Sequence, residues 1–209
     1  MGAALATIAM AAGGNAAAAE RPPIAWNAIP YPTKRKREMA AYSKRHYGFS
    51  RYGLHNPKVI VEHLTESSTY GPIWTMFSQD VADSELHELP GVCSHFVIDQ
   101  NGKIHQLVPL RLMCRHTVGL NWTAIGIEHV GYKPSDVLGR SKVRQASLRL
   151  TNWLRCRSGI AIKNVIGHNE SLKSPYHHER VKRLRGQTHD DFPTSSMGSY
   201  RAALRKMSC

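Results

Sequence analysis

Apolar residues along this chain fall into runs whose period switches between that of a strand and that of a helix. Residues 59–64 (VIVEHL) are short, apolar and β-branched, and predict a buried strand. Over residues 71–83 the period changes, with Ile73, Met76, Phe77 and Val81 recurring at helical spacing. Residues 93–99 (CSHFVID) and 103–108 (KIHQLV) flank Gln100-Asn101-Gly102. An Asn-Gly pair between two apolar runs predicts a hairpin, because both residues tolerate the positive φ of a tight turn. Residues 124–130 (AIGIEHV) predict another buried strand. The clearest helix spans 141–157, where Val143, Ala146, Leu150, Trp153 and Leu154 share a face; Ser141 can cap its start and Gly159 ends it. Residues 160–167 return as a strand, and a last helix over about 195–206 turns Met197, Tyr200 and Leu204 inward. No internal repeat is visible. Strands alternating with helices predict an α/β fold: a single domain with a mixed central β-sheet flanked by helices.

The N-terminal region breaks this pattern. Its first twenty residues, MGAALATIAMAAGGNAAAAE, are small and apolar and end in an A-x-A run without a charged start. Residues 1–19 therefore read as a secretory signal peptide or an Ala-rich leader. Residues 20–41 hold a Pro-rich stretch and the cluster KRKRE, and predict a solvated arm. That assigns the folded domain to 42–209, with its first regular strand after Asn56.

Composition narrows the function classes. A chain of 209 residues with 42% hydrophobic and 21% charged residues can bury a sizeable core and is not wholesale disordered. No apolar run reaches the roughly 18 residues needed to span a bilayer, so no stable membrane insertion is expected. Lys plus Arg number 28 against 15 Asp plus Glu, giving +13 and an attraction to something anionic. An aromatic content of 8% and the lack of a groove-reading motif argue against nucleic acid as that partner. Cys93, Cys114, Cys156 and Cys209 allow two disulfides, with Cys93–Cys114 favoured because the two flank the hairpin; buried thiols are the alternative. None of their spacings is C-x-x-C, which argues against a cysteine zinc ribbon.

Twelve histidines are the odder number. His63 closes a predicted strand, His168 follows another, and His189 lies in the loop GQTHDDF. Three neutral imidazoles with one open position make a catalytic zinc arrangement, although a lone His at a strand end is more often a hydrogen-bonded structural residue. Glu128 stands inside an apolar strand, where a carboxyl is costly unless it is tuned for chemistry or paired with an arginine.

The segments VIVEHLTES, SHFVIDQNGKIHQLVPL, CRHTVGLNWTAIGIEHVG and NVIGHNES resemble, in order and spacing, the zinc-dependent N-acetylmuramoyl-L-alanine amidases. That family includes phage lysozyme-like amidases and peptidoglycan-recognition proteins, and the nearest likeness is to exported actinobacterial amidases and the endolysins of their phages. The resemblance covers roughly residues 42–205. It implies Zn2+ held by His63, His168 and a third ligand, usually Asp or Cys, two positions after a Lys. Here Gln187-Thr188-His189 is the equivalent stretch, which makes His189 the third ligand, with His178 as the alternative. Such an all-histidine set would leave the full 2+ charge on the metal and offset the missing Lys at Gln187. The resemblance also implies Glu128 as catalytic carboxylate and His116, His95 and Asn121 as substrate-binding residues. Ser94 replaces the tyrosine of the phage branch. The implied reaction is hydrolysis of the amide between N-acetylmuramic acid and L-alanine in peptidoglycan, by a secreted or wall-located monomer. Its basic charge would be drawn to anionic wall polymers. A non-catalytic peptidoglycan-binding module of the same fold is the alternative.

Overall fold

In chain order the elements are β1 (Ile24–Trp26), α1 (Thr33–Tyr47), β2 (Val59–Leu64), α2 (Tyr70–Ser78), β3 (Phe96–Ile98), β4 (Ile104–Gln106), β5 (Ala124–His129), α3 (Pro134–Leu138), α4 (Ser141–Ser158), β6 (Val165–Gly167) and α5 (Thr194–Leu204). The computed structural model describes residues 19–209, so the predicted leader lies, but for Ala19, outside the described residues. The strands form one six-stranded sheet in the order β1-β4-β3-β5-β2-β6. Only β3 and β4 pair antiparallel, through the predicted hairpin; every other neighbouring pair is parallel. At that hairpin Gly102 takes φ 85°, the left-handed conformation a glycine adopts without strain.

Every residue of β2 and β5 is buried, as expected of central parallel strands covered on both faces. Alternation then divides their side chains. Ile60, Leu64, Ile125 and Ile127, with Phe96 and Ile98 of β3, pack against Val143, Leu150 and Leu154 of α4 and Met197, Tyr200 and Leu204 of α5. On the other face Val59, Val61, Ala124 and Ile166 meet Leu120, and Val97 meets Ile73 and Phe77 of α2. Helix α4 spans the stretch its periodicity predicts and ends at Gly159 in the left-handed conformation, φ 64°. Its N-cap is Arg140 rather than Ser141, with no side-chain cap bond.

Two expectations are corrected. Residues 20–41 are not a solvated arm: β1 adds to the sheet beside β4, and α1 buries Met39, Tyr42 and Tyr47, so a boundary at residue 42 would cut a helix. The charge of Arg35 in the KRKRE cluster is fully buried because its guanidinium finds carbonyls. It donates to Phe77 O at 2.9 Å, Gly91 O at 2.9 Å and Val92 O at 3.2 Å, with Asp80 Oδ1 3.7 Å from its Nε. The second correction concerns cysteine pairing. Cys156 is bonded to Cys209, while Cys93 and Cys114 are buried thiols. The segment after α5 folds back along α4, with Ser208 O accepting from Asn152 Nδ2 at 2.9 Å, which carries Cys209 to the last turns of that helix.

Candidate active site

Parallel strands deliver their carboxyl ends to one edge of a sheet, and side chains there open into the crevice outside it. His63, one residue from the end of β2, registers directly beside Glu128 of β5. His168 follows the last residue of β6, the strand on the other flank of β2. Parallel pairing therefore brings together three groups far apart in sequence, on the sheet face opposite α4 and α5. The loop 188–191 closes the site. Thr188 Oγ1 donates to His168 O at 2.8 Å, Asn169 N donates to Asp191 O at 3.0 Å, and Asn169 Nδ2 donates to Asp190 Oδ1 at 2.9 Å. The loop packs this closely because residue 167 is glycine; a Cβ there would collide with Phe192 O. A bidentate pair from Arg201 of α5 to Glu170, at 2.6 and 3.0 Å, ties down the turn beneath.

This zippering turns Asp191 inward. Its Oδ2 lies 3.6 Å from His63 Nδ1 and 3.7 Å from His168 Nδ1. One donor atom each from His63, His168 and Asp191 falls within 4.8 Å of the others, a donor set suited to a divalent transition metal. Both ring nitrogens of His168 are buried without a hydrogen-bond partner, as expected of a side chain shaped for a ligand rather than for the apoprotein. His189, expected as the third ligand, goes elsewhere. Its ring stacks on His168 with centroids 4.8 Å apart, and its Nε2 meets Glu85 Oε2 at 3.1 Å. Gln187 Nε2 donates to the other oxygen of Glu85, at 3.0 Å. The alternative His178 is exposed, its amide donating to Gly119 O, and does not line the cavity.

A cavity of about 160 Å3 opens over these groups, walled by Ile73, Met76, Phe77, Arg115, His116 and Glu128. Burial pushes the Glu128 carboxyl up to about 7, with the charge of Asp191 adding to it and His63 opposing. Its Oε2 is buried with no partner. Burial also works against charge on Asp191, yet the flanking imidazoles of His168 and His63 hold its carboxyl well below the usual carboxylate range. For His63, burial favours the neutral form but the carboxylates of Glu128 and Asp191 outweigh it and raise its pKa. Burial takes His168 down to about 4 despite the opposing pull of Asp191.

His63 Nε2 meets His116 Nδ1 at 3.0 Å, and Thr117 Oγ1 lies 2.8 Å from the same Nδ1. If His63 keeps the Nδ1 lone pair toward Asp191's side, its Nε2–H donates to His116 Nδ1. His116 then carries its proton on Nε2, which is buried without a protein partner on the cavity wall. Room for this ring comes from Gly126, where a Cβ would stand 2.8 Å from His116 Cδ2.

Two expected substrate-binding residues are corrected to structural ones. His95 is fully buried, its Nε2 donating to Leu112 O at 2.9 Å and its Nδ1 accepting from Gly126 N at 3.1 Å, which leaves nothing for a ligand. Asn121 is also fully buried: Oδ1 accepts from the amides of His116 and Thr117 at 2.8 and 2.7 Å, and Nδ2 donates to Tyr42 Oη. It shapes the turn that presents His116. Asp191 went unrecognised in the sequence, although the acid pair in T-H-D-D-F was the signal for an anionic donor.

Residues 53–190 match the family model described as N-acetylmuramoyl-L-alanine amidase. No curated protein sequence matches the chain significantly. Among solved structures, the endolysin amidase LysCS from Clostridium intestinale URNW is 18% identical, aligns over 87% of this chain and 96% of its own, and has a TM-score of 0.55. PlyL is 16% identical over 88% of this chain and 97% of its own, with a TM-score of 0.52. At these identities the likeness is one of fold.

Proposed function

Because this chain belongs to the N-acetylmuramoyl-L-alanine amidase family, we propose that it cleaves the amide joining N-acetylmuramic acid to L-alanine in peptidoglycan, with zinc held by His63, His168 and Asp191. The observation that carries this reading is the convergence of those three donor groups beside a buried, partnerless carboxyl on Glu128. A zinc ion there supplies Lewis acidity, lowering the pKa of a water toward about 7 and polarising the scissile carbonyl. With Asp191 in the set the ligands carry one negative charge, so the more Lewis-acidic, all-histidine centre expected from the sequence does not apply.

The remaining steps belong to the chain's own residues. Glu128 accepts a proton from the attacking water as the C–O bond forms, then passes it to the amide nitrogen as the C–N bond breaks, leaving a carboxylic acid and a free amine. A carboxyl near neutrality suits both halves of that transfer. His116 offers its buried Nε2–H to an oxygen of the muramyl-peptide. His189 stands two residues before Asp191, the place the resemblance gives to a lysine, and its ring forms the rim beside His168. The Cys156–Cys209 disulfide supports a site of action outside the reducing cytoplasm.

The test is incubation with purified peptidoglycan, with and without chelator, followed by detection of released stem peptides. Glu128→Gln is expected to keep zinc and lose release. Undiminished release by that variant would remove Glu128 from the mechanism, and zinc-loaded wild type that binds the polymer without cutting it would favour the non-catalytic alternative.

A further inference from the structure

A second hollow, of about 690 Å3, lies at the far edge of the sheet, where β1 runs beside β4 and α4 passes over them. It shares no lining residue with the catalytic cavity. Arg21 enters it ahead of β1, Lys103 from the hairpin, and Lys142 and Arg149 from α4. On α4 these two stand with Gln145 and Ala146 at positions three, four and seven apart, which share one helix face. That face flanks the buried one of Val143, Leu150 and Leu154: Ala146 packs at its border with the core, and Lys142, Gln145 and Arg149 lie farther round the helix. The floor is apolar, made by Pro22, Ile24, Ala25 and Ile104, and among the described residues no carboxylate lines the hollow.

Among the described residues Lys34, Arg45, Arg115, Arg183 and Arg201 each face an acidic side chain, while many other cations do not; what sets this hollow apart is that four cations converge on it. Among the described residues, the four cations of the hollow have one carboxylate in reach, Glu20, which is 4.0 Å from Arg149 and itself 87% exposed. Arg21 is steadied from beneath by the Trp153 ring, 5.5 Å from its guanidinium carbon. Four like charges around an apolar floor repel one another unless an anion lies between them. They match a chain that carries fixed negative charges at intervals along carbon segments. Guanidinium forks and ammonium point charges both take phosphate oxygens well.

We propose that this groove binds a phosphodiester-linked polyanion of the cell wall and holds the protein on its substrate. The choice of a wall polymer rests on the function proposed above; the groove's affinity for polyphosphodiester does not. The general attraction expected from the +13 charge thereby becomes a defined site.

The full chain is titrated with fluorescent poly(glycerol phosphate), comparing wild type, Lys103→Glu/Lys142→Glu, the milder Lys142→Gln, and Lys182→Glu/Arg205→Glu. The last variant makes the same charge change at exposed residues outside the groove. The groove double variant is expected to lose at least about tenfold in affinity, Lys142→Gln a smaller part of that, and the control less than about threefold. Equal losses in the groove variant and the control would overturn the inference, since net charge alone would then explain binding. Tighter, equally groove-dependent binding of a single-stranded oligodeoxynucleotide would overturn the assignment of occupant. In parallel, hydrolysis of peptidoglycan stripped of its phosphate polymers should be the same for wild type and Lys103→Glu/Lys142→Glu, while hydrolysis of intact walls falls in the variant. Groove-dependent binding by a wild type that cuts no peptidoglycan would sink the proposed function and leave the groove's ligand standing. Cutting without groove-dependent binding would do the reverse.

Discussion

Asp191 and His189 make opposite predictions about what holds the metal, and two substitutions separate them. Asp191→Asn keeps the size of the side chain and the backbone bond from Asn169 N but removes the anionic oxygen that lies 3.6 and 3.7 Å from the two histidine nitrogens. Altering a group that merely supports a ligand costs about 10- to 100-fold in metal affinity, so losing one of three donors should cost at least the upper figure, roughly 2.7 kcal/mol. His189→Ala removes a ring whose polar contact is with Glu85, the two side chains being 46% and 51% exposed. An exposed pair of that kind contributes about 0.2–1 kcal/mol, which limits the effect on zinc binding to about fivefold. The assay is competition of each variant with a chromogenic chelator, with zinc per chain counted by mass spectrometry. Zinc retained at near wild-type affinity by Asp191→Asn and lost by His189→Ala would refute the assignment and restore the all-histidine centre.

Three further outcomes are expected. Arg35→Met should lower unfolding stability by about 3–5 kcal/mol in urea titration, because it leaves the buried carbonyls of Phe77, Gly91 and Val92 without their shared donor; a loss below about 1 kcal/mol would mean water replaces the guanidinium. Replacing Cys156 and Cys209 together by Ser should cost about 2–4 kcal/mol, from a crosslink between residues 53 apart in sequence, with an unchanged urea midpoint as the contrary result. His46 should make stability pH-dependent. Burial opposes its charge, but the carboxylates of Glu179 and Glu88, at 2.8 and 2.7 Å, overcome burial and raise its pKa in the fold. A raised histidine pKa gives stability that is fully present below its unfolded value of about 6.5 and is lost as pH rises through the higher folded value. Wild type should therefore lose more stability than His46→Gln between pH 6 and 8.5 by urea midpoint, and parallel curves would show that His46 does not titrate in this window.

The elements that repeat a period over their length were legible in the sequence: β2, β5, the β3–β4 hairpin, α4 and α5 stand where their patterns predict. His63, Glu128 and His168 also stand together, as the family resemblance implies, although the sequence reading of a mixed sheet did not by itself place their strands side by side. Helix α1 was missed because KRKRE reads as solvated, and periodicity cannot show that Arg35 will satisfy backbone carbonyls inside the protein. Met39, Tyr42 and His46 did carry a helical spacing through that same stretch. The third donor was misread for a different reason. Which of His189, Asp190 and Asp191 faces inward is decided by bonds that join this loop to the turn after β6, from Asn169 to Asp190 and Asp191 and from Thr188 to His168, and residue type holds no record of that. The burial of His95 and Asn121 follows likewise from long-range partners at Leu112, Gly126 and Tyr42.

The register of β2 against β5 has a consequence for how this enzyme can change. Sliding one strand by a residue would turn His63 away from Glu128 and drive Val61 and Ile60 to the wrong faces, so the core and the chemistry would fail together. That half of the centre is locked, and no sequence drift can retune it while keeping the protein folded. Asp191, His189 and His116 hang instead on loops held by individual hydrogen bonds rather than by a strand ladder. Variation in reactivity or substrate preference among descendants of this chain should accumulate in those loops, around a pair of strands that stays the same.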